Sequence, residues 1–127
     1  MILVDTSVWI DFFKGQERAL HVNNLIDLNI ICVNSLILAE LIPSINQKKE
    51  YDLKEVLESV YRVPIEIDWS SIILMQTLNL KNGINNVGIA DLIIVQNAIQ
   101  NDLEVFAFDK HFGLMKELLG FKTYKAS

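Results

Sequence analysis

MILVDTSVWIDFF, residues 1–13, decides the fold. Three apolar residues, Ile2, Leu3 and Val4, stop at Asp5, and two hydroxyls, Thr6 and Ser7, follow at once. Residues 2–4 predict a short strand buried on both faces, and Thr6 or Ser7 is placed to cap the helix after it. Gly15 is positioned to end that helix. The alternation continues along the chain. Helical patterns at 17–28, from Asn34 or Ser35 to about 46, at 50–61 and from Asp68 to about 81 are separated by apolar runs at 30–33 and 63–67. The GINNVG turn, residues 83–88, leads into a helix from 86 or 87 to about 100 that is apolar nearly all round and should be deeply buried. A strand at 104–108, a helix at 111–119 ended by Gly120, and a strand at 121–124 complete the chain. Short apolar strands alternating with helices predict an α/β fold: a three-layer α/β/α sandwich with a mostly parallel central sheet.

A length of 127 residues suits one domain, spanning 1–127, with a full core that needs no metal or disulfide staple. Mean hydropathy is +0.30, yet charge-free stretches such as 28–39 are too short to span a bilayer. Asp5 interrupts the apolar N-terminus and no basic residue precedes it, which argues against a signal peptide. The lone cysteine, Cys32, excludes an internal disulfide and fits a reducing cytoplasm. Net charge is −5, from 11 Lys+Arg and 16 Asp+Glu, whereas a module that holds nucleic acid by bulk electrostatics is normally basic. Any action on nucleic acid therefore needs cations, or a partner's basic patch, to supply the missing charge.

Four acids stand out by position. In a parallel sheet, ligand sites lie beyond the carboxyl ends of the strands. Asp5 follows the first strand, Asp109 follows the strand at 104–108, and Glu40 lies in the early turns of the helix after the strand at 30–33. Asp91 opens a helix of about 14 residues, roughly 21 Å long. That helix leads into the strand at 104–108, so it must descend the sheet as the strand ascends, and its start lies at the same edge. Such convergence is costly. Two carboxylates about 4 Å apart repel by about 4 kcal/mol at an effective dielectric near 20. Oxygen ligands without a His or Cys cluster select Mg²⁺ or Mn²⁺ over zinc, and such sites commonly serve attack of water on a phosphodiester.

The opening LVDTSVWIDFF, Glu40 within SLILAEL, Asp91 within GIADLIIVQNA and Asp109 within VFAFDKHF resemble the PIN domains, and among them the VapC-type toxins of toxin–antitoxin pairs. The resemblance covers essentially the whole chain. It implies a Mg²⁺- or Mn²⁺-dependent endoribonuclease acting on RNA, and a homodimer held inactive by an antitoxin. It matches Asp5, Glu40, Asp91 and Asp109 to the family's acidic quartet and Ser7 to its accessory hydroxyl. The chain departs from the pattern at Ala107, where the family often carries Thr, Ser or Asn.

Each acid also has a plainer role. Asp5 suits a helix N-cap, Glu40 an exposed helix position, Asp91 the positive end of a helix dipole and Asp109 a turn. Asp11 reads as a solvated helix acid; Trp9, Phe12 and Phe13 as core or interface; Lys14, Arg18, Lys110 and Lys116 as a solvated face or phosphate contacts. His21 and His111 are too few and too far apart to suggest zinc or a triad, and no nucleophile elbow is present. Gly83 and Gly88 have P-loop spacing, but Ile89 and Ala90 stand where Lys and Ser or Thr would be needed. Two alternatives to the nuclease remain: a receiver-type phosphoacceptor domain and a catalytically inactive binding module. A receiver needs a lone Asp ending a central strand near residue 52, and Asp52 lies in the polar KKEYDLKEV.

Overall fold

The computed structural model describes residues 1–125; the last two residues of the expected 1–127 domain lie outside the described residues. Five strands, β1 (Ile2–Val4), β2 (Ile31–Val33), β3 (Tyr61–Arg62), β4 (Glu104–Phe106) and β5 (Lys122–Thr123), form one parallel sheet in the order β3-β2-β1-β4-β5. β1 and β2 are buried throughout, which is why their sequences are continuously apolar. The chain builds outward from β1 to β3, then returns to the other side of β1 for β4 and β5. Such a reversal of strand order opens a crevice at the carboxyl ends of the two strands that flank it, here β1 and β4.

Right-handed crossovers put the helices of the two half-sheets on opposite faces. On one side α1 (Thr6–Phe13) packs on α3 (Ser35–Lys48) and α3 on α4 (Tyr51–Ser59), with α2 (Val22–Asp27) entering β2. On the other, α5 (Trp69–Lys81) packs on α6 (Ile89–Gln100) and α7 (Lys110–Leu119). The layers are therefore α/β/α. Trp9 is fully buried, and its indole Nε1 donates to the Val4 carbonyl at 3.0 Å, so it belongs to the core. Among the described residues no helix is long and apolar enough to cross a membrane.

Several boundaries differ from expectation, each for a local reason. The helix expected at 17–28 is a 3-10 turn, Glu17–Ala19, followed by α2. Its first amides bond three residues back, Ala19 to the Gln16 carbonyl at 3.0 Å and Leu20 to the Glu17 carbonyl at 3.2 Å, the 3-10 pattern rather than the α pattern. The strand expected at 63–67 is displaced to Tyr61–Arg62. Val63 still donates to the Val33 carbonyl at 2.8 Å, but Pro64 has no N–H with which to extend the ladder. α6 starts at Ile89, not at 86 or 87, because Asn86 sits at φ 63°, a left-handed conformation outside a right-handed helix. The strand expected at 104–108 ends at Phe106, because the Phe108 amide leaves the ladder to donate to Ser7 Oγ at 3.0 Å. α6 is buried from Ile94 to Ala98, though Ile89 and Ile99 are exposed.

A buried amide ladder joins the two halves. Asn34 caps α3 through the Ile37 amide at 2.9 Å and donates to Asn97 Oδ1 at 3.0 Å; Asn97 in turn donates to the Pro64 carbonyl at 3.0 Å. Asn97→Ala strips partners from the Asn34 amide and from Pro64 together. It should cost about 2–6 kcal/mol, since each of the two groups left unsatisfied costs about 1–3 kcal/mol. Urea unfolding would measure it, and a loss well under about 1 kcal/mol would mean that water replaces both bonds.

Candidate metal centre

The centre is built where β1 and β4 end. The Asp5 amide donates to the Phe106 carbonyl at 2.8 Å, which joins the two strand ends. Asp5 is only 6% exposed. Its Oδ2 accepts from the Ser7 amide at 3.2 Å and from the Ser7 hydroxyl at 2.8 Å, making Asp5 itself the N-cap of α1. The cap expected of Thr6 or Ser7 is thus supplied one residue earlier. The Ser7 hydroxyl spends its single proton on Asp5 while its lone pair receives the Phe108 amide, so one side chain ties the start of α1 to the end of β4. The Thr6 hydroxyl instead donates to Glu40 Oε1 at 3.0 Å.

Glu40 is exposed on α3, held toward the crevice by that Thr6 bond. Asp91 lies in the first turn of α6, partly buried. Asp109 is the N-cap of α7, its Oδ1 accepting from the His111 amide at 2.9 Å, with 38% of its side chain exposed. Asp5 therefore fills the plainer capping role as well as facing the crevice, and Asp109, expected as a turn residue, is a cap too.

Electrostatics register the crowding. Burial foremost, then the charges of Asp5 and Asp109, push the Asp91 carboxyl up to about 6; Glu40 adds to the rise and His111 opposes it. Burial likewise raises the Asp5 carboxyl despite its Ser7 hydrogen bonds, and Asp109 contributes further. Asp5, Asp109 and Glu40 thus each bear on Asp91, while of the four acids Asp91 and Asp109 bring ligand atoms within 4.8 Å of each other.

The donor set fits a divalent cation. One ligand atom each from Asp91, Asp109 and His111 lies within 4.8 Å of the other two. An ion bonded at roughly 2.0–2.6 Å separates its ligand atoms by no more than about twice that length, so one ion can reach all three. The sequence keeps His111 too far from His21 to suggest a site; the tertiary structure sets it beside two acids instead. The signal was present in Asp109-Lys110-His111, because a residue two places after an N-cap turns back over the cap. His21 lies elsewhere, its ring 5.3 Å from that of Phe106.

Around the centre, Asp11 is not a solvated acid: it is 18% exposed and pairs with Arg18 at 2.6 Å. The Arg18 guanidinium also covers the Phe108 ring at 3.9 Å. A groove of about 380 Å³ opens beside Glu40, lined by Ile10, Phe13, Leu41, Ile45 and Leu53 and by Lys14.

A parallel α/β/α sandwich with an acidic crevice at its switch point defines a class, and the sequence places the chain within it. The model of the PIN domain matches residues 2–118, and the chain belongs to the PIN domain family. No curated protein matches it by sequence. Among solved structures it is similar to FitAcB from Neisseria gonorrhoeae, at 20% identity over 98% of this chain and 97% of that one, with a TM-score of 0.77. It is also similar to VapBC2 from Rickettsia felis bound to a DNA fragment from their promoter, at 19% identity over 98% of each chain, with a TM-score of 0.73. A third is the sarcin-ricin loop cleaving toxin VapC20 of Mycobacterium tuberculosis, at 14% identity over 99% of this chain and 100% of that one, with a TM-score of 0.64.

Proposed function

We propose that this PIN domain is a divalent-metal-dependent endoribonuclease and the toxin of a toxin–antitoxin pair, working in the cytoplasm. The observation that carries the proposal is the meeting of side chains at the crevice: Asp91, Asp109 and His111 bring ligand atoms within 4.8 Å of one another, and the charge of Asp5 bears on Asp91 as well. The similar proteins support the biological role, since one is a sarcin-ricin loop cleaving toxin and others are VapBC assemblies. The receiver alternative loses its support, because Asp52 lies in the first turn of α4 rather than at the end of a strand.

In this proposal Asp5, Glu40, Asp91 and Asp109 hold Mg²⁺ or Mn²⁺. When bound, the cation polarises the scissile phosphate and makes water a stronger nucleophile at neutral pH. The chain's own contribution is preorganisation. Ser7 holds Asp5 in place through two hydrogen bonds, and Thr6 does the same for Glu40. Lys14, in the groove beside Glu40, and exposed Lys110, next to Asp109, are placed to meet RNA phosphates. The groove, whose apolar floor is edged by Lys14, Lys48 and Glu50, is the surface we assign to the antitoxin, because a partner seated there would cover the rim at Glu40. A homodimer belongs to the same proposal. Exposed Trp69, Ile73 and Leu80 form a single row on α5 suited to a second copy, and light scattering would read its mass.

Purified protein should cleave RNA, stop when EDTA is added and recover with Mg²⁺ or Mn²⁺ but poorly with Zn²⁺. Expression alone should arrest growth of a bacterial host. Full cleavage after exhaustive chelation would refute the metal-dependent mechanism.

A further inference from the structure

We infer that His111 is a nitrogen ligand to the cation held by Asp91 and Asp109, and that it makes the centre prefer Mn²⁺ to Mg²⁺. This rests on the metal-dependent reading above and deepens it. Three observations lead there. A ligand atom of His111 lies within 4.8 Å of carboxylate oxygens of both Asp91 and Asp109. Its Nδ1 is 2.8 Å from Asp109 Oδ1, which the His111 backbone amide already occupies at 2.9 Å. Despite that proximity Nδ1 makes no hydrogen bond of acceptable direction, and the atom is buried. A buried ring nitrogen without a partner is costly and rare. A cation between the ring and the two carboxylates gives its lone pair a partner.

The location supports the same conclusion. Asp109 as N-cap fixes the first turn of α7, and the turn carries the imidazole back over its own cap toward Asp91 on α6. The His111 side chain is 21% exposed, so one flank of the ring reaches solvent while Nδ1 stays covered. An imidazole that bonds a cation through Nδ1 carries its proton on Nε2, the nitrogen left to the open flank.

The donor set then decides the metal. Mg²⁺ favours oxygen and demands near-ideal octahedral geometry. Imidazole adds affinity for transition metals, which rises from Mn²⁺ to the later ions of the row. A centre of carboxylates and one imidazole therefore gains for Mn²⁺ what it does not gain for Mg²⁺.

The test uses the full chain with Mn²⁺ alone, read by pulsed electron paramagnetic resonance. Modulation of the Mn²⁺ echo by a directly bonded ¹⁴N nucleus is expected, changing to the ¹⁵N pattern when only histidine is labelled. His21, the other histidine, is packed in the aromatic cluster with Phe106 and Tyr124, so the coupling is assigned to His111. His111→Gln and His111→Ala should lose the coupling and bind Mn²⁺ at least about tenfold more weakly, with Mg²⁺ affinity much less affected. The parent measurement needs no variant, so a variant that fails to fold does not spare the inference. Oxygen-only coupling in the parent overturns it and leaves the metal-dependent reading standing, with His111 reduced to a clamp on Asp109. Absence of any Mn²⁺ binding overturns both.

Discussion

Asp91→Asn should lower RNA cleavage by on the order of 10³-fold and abolish growth arrest at equal expression. The substitution keeps the shape of the side chain and removes one negative charge from the group proposed to hold the cation. At an effective dielectric near 20, a unit-charge interaction at about 4 Å is worth about 4 kcal/mol. Each 1.36 kcal/mol is tenfold in rate, so about three orders of magnitude follow. Asp5→Asn should behave alike, and it is a clean comparison because Asn caps a helix as well as Asp does. Asp11→Asn is the control: Asp11 pairs with Arg18 and is expected to change cleavage little. Gel assays of RNA cleavage and induced growth curves would measure the series. Unchanged cleavage and toxicity in both Asp91→Asn and Asp5→Asn would sink the nuclease mechanism.

The same Asp91→Asn should make the metal-free protein more stable near neutral pH, although it destroys function. The Asp91 carboxyl stands at about 6 in the fold, against 3.8 for an ordinary aspartate. A raised carboxyl means that the folded chain binds more protons than the unfolded chain between those values. Metal-free stability therefore rises as pH falls through about 6, and this gain levels off below about 4. Above 6 the charged form is penalised in full. At about 1.36 kcal/mol per unit, discounted because Asp91 is only partly buried, the penalty is roughly 2 kcal/mol. Removing it should raise the metal-free melting temperature by about 5–10 °C. Mg²⁺ at a hundred times its dissociation constant should stabilise the parent by about 2.7 kcal/mol, and the variant much less. Thermal melts at pH 5 and pH 7.5, with and without Mg²⁺, separate these effects. A variant that melts lower without metal yet keeps the full Mg²⁺ shift would make Asp91 a structural acid.

What the sequence alone determined was local or periodic. Continuous apolar runs marked β1 and β2 as strands buried on both faces, Asn34 and Asp68 were recognisable as caps, and Gly120 as a helix end. The crowding of four acids at one edge was also within reach, because parallel strands force all their carboxyl ends to one side. The tertiary structure decided what depends on residues far apart in the chain. Ser7 meets Phe108 across 101 positions and so stops β4 two residues early, while Thr6 finds Glu40 across 34 positions and leaves the cap to Asp5. His111 joins Asp91 only because α6 and α7 both start over the same crevice. Spacing along a chain fixes which face of its own helix or strand a side chain takes. It does not fix which foreign side chain waits there; strand order and packing set that, and with it the chemistry of the centre.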